Sequence, residues 1–178
     1  MTFTTPVIST DLALALARTV VGLVIAAHGA QKLFGVWGGP GLRGWTEGMA
    51  RMGMRPARFW GLVTALTEFV GGIALAAGFL VPITAALVTV QMATALARVH
   101  WPKGFWVGKG GIEFTLVLLA IAAINGVAEP GAWSLDRMLG IPALGAGVYA
   151  AVVVISWLAY VAGSRPATAR SAASQKAA

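Results

Sequence analysis

The sequence predicts an all-α integral membrane protein, a four-helix transmembrane bundle with an added fifth span and a short interfacial helix. Of its 178 residues, 58% are hydrophobic and 11% are charged, and the mean hydropathy is +0.80. A soluble surface needs roughly a quarter or more of charged residues, so this composition excludes a soluble globular protein. Five apolar segments reach or approach the ~20 residues that a helix needs to cross a bilayer. They lie at about 12–34, 59–79, 82–100, 110–127 and 143–163.

The first three spans have clear boundaries. No Lys or Arg precedes Asp11, and because the basic region of a signal peptide is therefore missing, we expect the first span to be retained. The second and third spans are separated by Leu80-Val81-Pro82, which predicts a tight helical hairpin.

A short amphipathic helix is predicted between the first and second spans. Its apolar positions recur at helical spacing, which is typical of a helix lying in the membrane interface. These positions are Leu42, Trp45, Met49 and Met52, while Arg43, Glu47 and Arg51 face elsewhere. An alternative that stays open is a mobile lid over a pocket.

The C-terminal third adds an outer loop, a fifth span and a tail. Residues 125–142 predict an outer loop with one helical turn, and Tyr149, Ser156 and Tyr160 share a face of the fifth span, which favours packing on the outside of a four-helix core. We expect residues 1–163 to form a single transmembrane domain and residues 164–178 to form a disordered basic cytoplasmic tail.

The basic residues predict the orientation. With five spans, eleven of the 13 Lys and Arg residues fall on one side of the membrane. The positive-inside rule then places the N-terminus outside and the C-terminus in the cytoplasm of a multi-pass protein of the bacterial inner (plasma) membrane. Because the net charge of +7 is spread over short loops, it indicates this topology rather than a nucleic-acid partner.

Ionisable and amide side chains inside the spans predict a binding pocket. A carboxylate in hydrocarbon is costly unless it is partnered or faces water, so Glu68 and Glu113 are candidate functional residues. From helix rise, Glu68 lies ~13 Å from the cytoplasmic end of its span and Glu113 only ~6 Å. We expect an interior pocket open toward the cytoplasm. Its predicted lining is His28, Gln31, Lys32, Glu68, Gln91, Arg98 and Glu113.

A purely structural role for the same residues is an alternative that stays open. Glu68 and Glu113 could pair with Lys32, Lys109 or Arg98 and fix helix packing. His28 and His100 lie on different helices at different depths, which argues against a bis-histidine haem, and no metal site is predicted. Six tryptophans fall near predicted interfaces and are interpreted as membrane anchors. These are Trp37, Trp45, Trp60, Trp101, Trp106 and Trp133.

Three ordered motifs resemble those of the DoxX family of small bacterial membrane proteins. They are His28-Gly29-Ala30-Gln31-Lys32-Leu33-Phe34-Gly35, Glu68-Phe69-Val70-Gly71-Gly72 and Lys109-Gly110-Gly111-Ile112-Glu113-Phe114. The resemblance covers roughly residues 12–127. It implies a four-helix membrane bundle related to the membrane subunit of thiosulfate:quinone oxidoreductase, and a redox-associated membrane subunit. The chain contains no cysteine, so any thiol chemistry must belong to a partner.

The leading hypothesis is that the pocket binds a quinone or a similar amphipathic molecule. Glu68 or His28 would exchange a proton, and Gln31, Lys32 or Arg98 would hydrogen-bond a carbonyl. The chain would then be a non-catalytic subunit of a quinone-linked oxidoreductase. Two other classes stay open, namely a scaffold whose basic face recruits a soluble oxidoreductase and a small-solute transporter, and a homo-oligomer is compatible with each.

Overall fold

The computed structural model describes residues 9–164 and contains four helices that are long and apolar enough to cross a membrane. These are the first span Thr10–Phe34, the second span Ala57–Ala77, the third span Val81–Lys103 and the fifth helix Gly145–Gly163. A shorter apolar helix, Glu113–Val127, is the fourth helix. The predicted all-α membrane fold is therefore confirmed, and the predicted tail lies almost wholly outside the described residues.

The fourth helix begins three residues later than predicted. Gly110 adopts a left-handed backbone (φ 77°), and the amides of Ile112 and Glu113 bond to the carbonyls of Gly104 and Phe105 at 3.0 Å. These bonds fold the segment before Glu113 into a loop. The remaining helix of 15 residues is about 22 Å long, which is shorter than a typical hydrocarbon core.

The first four helices meet in one apolar core. Its buried members come from each of them and include no charged side chain. They are Val21, Ile25, Leu75, Val81, Ala85, Val88, Met92, Leu118 and Ala122. The fifth helix packs against the third span, where the Tyr149 hydroxyl donates to Thr89 Oγ1 at 3.3 Å. It leaves most of its other face exposed, which is the expected surface for a helix in contact with lipid.

The predicted amphipathic helix is confirmed as Gly41–Arg51. It lies against the second span, where a side chain on Gly61 would meet Thr46 at 2.8 Å. Beyond it, the amide of Arg55 donates to the carbonyl of Gly163 at 2.9 Å. Residues 35–56, residues 101–112 and the end of the fifth helix thus lie at one end of the bundle, here named the basic end.

The opposite end is closed by the loop 128–144. Its predicted helical turn is confirmed as Leu135–Met138. The Asp136 carboxylate accepts the amides of Leu80 and Val81, at 2.7 and 3.0 Å, and so caps the third span. Arg18, which is 1% exposed, donates to the carbonyls of Pro130 and Trp133. The Asp136 bonds fix the loop on the hairpin between the second and third spans, and the Arg18 bonds fix it on the first span.

Glycines bring the backbones of the first and second spans together. A side chain on Gly29 would collide with the backbone of Glu68 and Phe69, and one on Gly72 would meet the backbone nitrogen of Ala26 at 2.6 Å. Small residues at such a contact allow helices in a membrane to approach closely. This approach places the first span directly beside Glu68.

Substituting Gly72 tests this packing. We expect Gly72→Ala to destabilise the protein by about 1–3 kcal/mol, because the added methyl group would push against main-chain atoms that cannot rotate away. The neighbouring Gly71→Ala is the matched control, since a side chain there meets no atom within 4 Å. Thermal unfolding in one detergent gives the comparison, and equal midpoints for the two variants would contradict the packing described.

Candidate functional site

Glu68 is the buried acidic centre of the site. It is 2% exposed and lies in a π-helical turn, Thr67–Gly71, within the second span. A π turn inserts an extra residue into the helix and is often found at functional sites. Its Oε1 forms an ion pair with Lys32 Nζ and accepts a second hydrogen bond from Gln91 Nε2 at 3.0 Å. Three spans therefore converge on one carboxylate oxygen.

The second oxygen of Glu68 has no partner. Oε2 is buried and accepts no hydrogen bond from any described residue. A buried oxygen without a donor costs about 1–3 kcal/mol, more when the group is charged. Oε1 thus has a counter-charge and two hydrogen-bond donors, whereas Oε2 has no donor.

Lys32 also contacts the amphipathic helix. Its Nζ lies 4.1 Å from the centre of the Trp45 ring, a cation–π distance. The indole Nε1 of Trp45 donates to Thr64 Oγ1 at 2.9 Å, and that hydroxyl donates to the carbonyl of Trp60 at 2.8 Å. Lys32 therefore links the buried carboxylate to the helix that covers it.

A cavity of about 190 Å³ lies beside this group. It is bounded by the amphipathic helix, the second and third spans and the fifth helix, and its walls are mainly apolar. The lining includes Lys32, Glu68, Gln91 and Arg98 together with Trp45, Met49, Met52, Met54, Trp60, Val63, Thr64, Thr67, Leu87, Val90, Thr94, Ala95, Val99, Ser156, Ala159 and Tyr160.

Arg98 holds the covering segment from the rim. It lies in a second π turn, Leu96–His100, and its Nη2 donates to the carbonyl of Met52 at 2.7 Å. That carbonyl follows the last residue of the amphipathic helix, where backbone acceptors need partners. The two basic side chains that line the cavity, Lys32 and Arg98, are thus both bonded to groups of this protein.

The structure brings together four of the seven predicted lining residues, namely Lys32, Glu68, Gln91 and Arg98. The other three, His28, Gln31 and Glu113, do not line this cavity, and a binding role for them stays a prediction. His28 is exposed and its ring centre lies 6.2 Å from that of Phe114. Because Gly29 faces Glu68, the adjacent residue turns by about 100° toward the fourth helix.

Gln31 and Glu113 bond to loops at the basic end. Gln31 Nε2 lies 3.4 Å from the carbonyl of Trp37. Glu113 Oε1 accepts the amide of Val107 at 2.9 Å, and the structure shows no ion pair between Glu113 and Lys109. Both side chains satisfy backbone groups that the helix ends would otherwise leave unpaired.

Sequence reasoning missed two aromatic groups and one wall of the cavity. Trp45 and Trp60 were interpreted as membrane anchors, but both line the cavity. The fifth helix packs outside the four-helix core, as expected, but the sequence did not indicate that its Ser156, Ala159 and Tyr160 line the cavity. The helical spacing of Trp45, Met49 and Met52 was the available signal, because a lid would present the same apolar face as an interfacial helix.

The model of the DoxX family matches residues 13–101, half of the chain. The matched segment contains the first two motifs and the ion pair of Lys32 with Glu68, and it ends before the third motif and the fifth helix. No curated protein and no solved structure matches the chain. Within residues 9–164, no three His, Cys, Asp or Glu side chains are grouped so that they could hold a metal ion.

The ion pair can be tested by breaking and then removing it. Lys32→Met should destabilise the protein by about 3–5 kcal/mol, because it leaves the buried Glu68 carboxylate without a counter-charge. The double variant Lys32→Met/Glu68→Met should recover most of this loss, since no charge then remains buried. Unfolding in a single detergent gives the three free energies.

The control is the exposed ion pair between Arg43 and Glu47, whose charged atoms lie 3.5 Å apart. Glu47→Gln should leave the stability unchanged, because exposed ion pairs contribute little. A double variant that is no more stable than Lys32→Met would show that the buried pair is not the source of the effect.

Proposed function

Because the chain belongs to the DoxX family, we propose that it is a redox-associated membrane subunit that binds a quinone or a similar amphipathic ring in the cavity beside Glu68. The observation that carries the proposal is that Glu68, a buried carboxylate with one oxygen that lacks a hydrogen-bond donor, lines an apolar cavity. Buried ionisable groups in a membrane protein mark ligand or proton sites by default.

The size of the cavity suits one ring. An apolar cavity of about 150 Å³ is large enough to bind benzene, and the cavity here is about 190 Å³. A single-ring headgroup therefore fits, while an aliphatic tail would have to extend into the bilayer. The rings of Trp45 and Trp60 and the thioethers of Met49, Met52 and Met54 provide adaptable apolar contacts for such a group.

Within this proposal the polar residues take different roles. Glu68 is the group that exchanges a proton, and Lys32 and Gln91 position it. His28 and Gln31 have no role at the ring, because they lie outside the cavity. We place the basic end in the cytoplasm, following the positive-inside rule. The chain has no cysteine, so a thiol centre, where one is involved, belongs to a partner subunit.

Filling the cavity tests the proposal. Protein purified in native lipid particles should carry a single-ring quinone, in either redox state, which extraction and mass spectrometry would detect. Ala95→Phe, which places a phenyl ring in the cavity, should reduce the retained quinone at least tenfold. Ala120→Phe, which puts the same ring on the exposed face of the fourth helix, should leave it unchanged. Equal retention by both variants, or none by the unaltered protein, would refute the proposal.

A second candidate function, a scaffold for a soluble oxidoreductase, is favoured by the exposed arginines at the basic end. Arg43, Arg51, Arg55 and Arg58 are all exposed, and of these Arg43 lies near a carboxylate, that of Glu47. Such a surface attracts an acidic partner. Replacing Arg51, Arg55 and Arg58 by Gln should then abolish co-purification of that partner and leave the quinone content unchanged. Ala95→Phe should reduce the quinone content and leave co-purification of the partner unchanged.

A further inference from the structure

The charges around the cavity determine the charge of a ligand that can enter it. The charged side chains that line it are already bonded within the protein, because Lys32 and Glu68 form an ion pair and Arg98 donates to the carbonyl of Met52. A charged ligand would lose its hydration in the mainly apolar cavity and would have to compete with these bonds. The cavity therefore favours an uncharged ligand.

The hydrogen bonds determine what polar group the ligand should present. Glu68 Oε1 already accepts from Lys32 Nζ and Gln91 Nε2. Glu68 lines the cavity, and its Oε2 is buried and without a donor. An ionised carboxylate only accepts hydrogen bonds. A ligand that completes the site therefore has to donate one.

From these two arguments we propose that the cavity recognises an uncharged ring that carries a hydroxyl group, with the hydroxyl donating to Glu68. For the quinone pair, this means that the reduced, hydroxyl-bearing quinol is bound in preference to the oxidised quinone, whose carbonyl oxygens can only accept. This inference rests on the proposed function and adds to it the hydrogen-bonding class of the ligand.

The test compares pairs of ligands that differ in the donor. One pair is para-nonylphenol and its methyl ether, which has the same ring and tail but no hydroxyl hydrogen. The other is a decyl-substituted quinol and its quinone, measured without oxygen. Equilibrium binding is measured with the full chain in nanodiscs and corrected for partition into empty nanodiscs. A hydrogen bond to a charged group predicts about 10-fold to 100-fold tighter binding of the phenol and of the quinol.

Variants connect this preference to one residue. Glu68→Gln removes the charge with little change in volume. Because Lys32 and Gln91 donate to Oε1, the amide oxygen is expected at that position and the amide nitrogen at the position of Oε2. An amide nitrogen cannot accept a hydrogen bond, so the phenol and the ether should then bind about equally. Glu113→Gln is the matched control, because it makes the same change at a carboxylate that bonds to Val107 outside the cavity. It should leave the ratio unchanged.

The outcomes separate this inference from the function on which it rests. Failure of all four ligands to bind would overturn the proposed function. Equal binding of both members, or tighter binding of the ether and the quinone, would overturn the inference alone and indicate that water satisfies Glu68. A preference that survives Glu68→Gln would also overturn it. The ligand pairs are measured on the unaltered protein, so a variant that fails to fold does not prevent the test.

Discussion

The cost of an uncompensated carboxylate in the membrane governs the arrangement around Glu68. Its charge requires a counter-charge within contact distance, and the second span provides none. Lys32, on the first span, forms the ion pair with Glu68 Oε1. It reaches that oxygen because Gly29 and Gly72 allow the two helix backbones to touch. Gln91 adds a donor from the third span, so one carboxylate joins three spans of the bundle.

The same ion pair connects the membrane-embedded core to the helix that covers the cavity. Lys32 contacts Glu68 with its ammonium group and also lies over the ring of Trp45. A change in the charge of Glu68 would therefore change the electrostatic attraction between Glu68 and Lys32. Because Lys32 also contacts Trp45, this change would affect the amphipathic helix as well. Arg98, bonded to the carbonyl of Met52, holds the far end of this segment. The segment that covers the cavity is thus held by contacts of two charged side chains that line it.

Part of the candidate site followed from the sequence. A carboxylate inside an apolar span, together with an amide and two basic groups at compatible depths, pointed to Glu68, Gln91, Lys32 and Arg98. Depth calculated from helix rise does not specify which way a side chain points, and so it placed His28, Gln31 and Glu113 in the same group. Whether a residue faces a cavity or a neighbouring loop depends on helix rotation, which the Gly29 contact sets. The DoxX motifs do not contain the information needed to separate these cases.

The sequence by itself determined the membrane class, five apolar segments, the amphipathic helix and the single outer helical turn, because hydrophobic length and helical periodicity are local properties. It also determined that a buried acid would need a partner. The tertiary structure decided which partner this was, and it turned Trp45 inward and made the fifth helix a wall of the cavity. These features depend on contacts between residues far apart in the chain. The free oxygen of Glu68 is such a feature, since hydrogen-bond satisfaction can be counted only once the helices are packed.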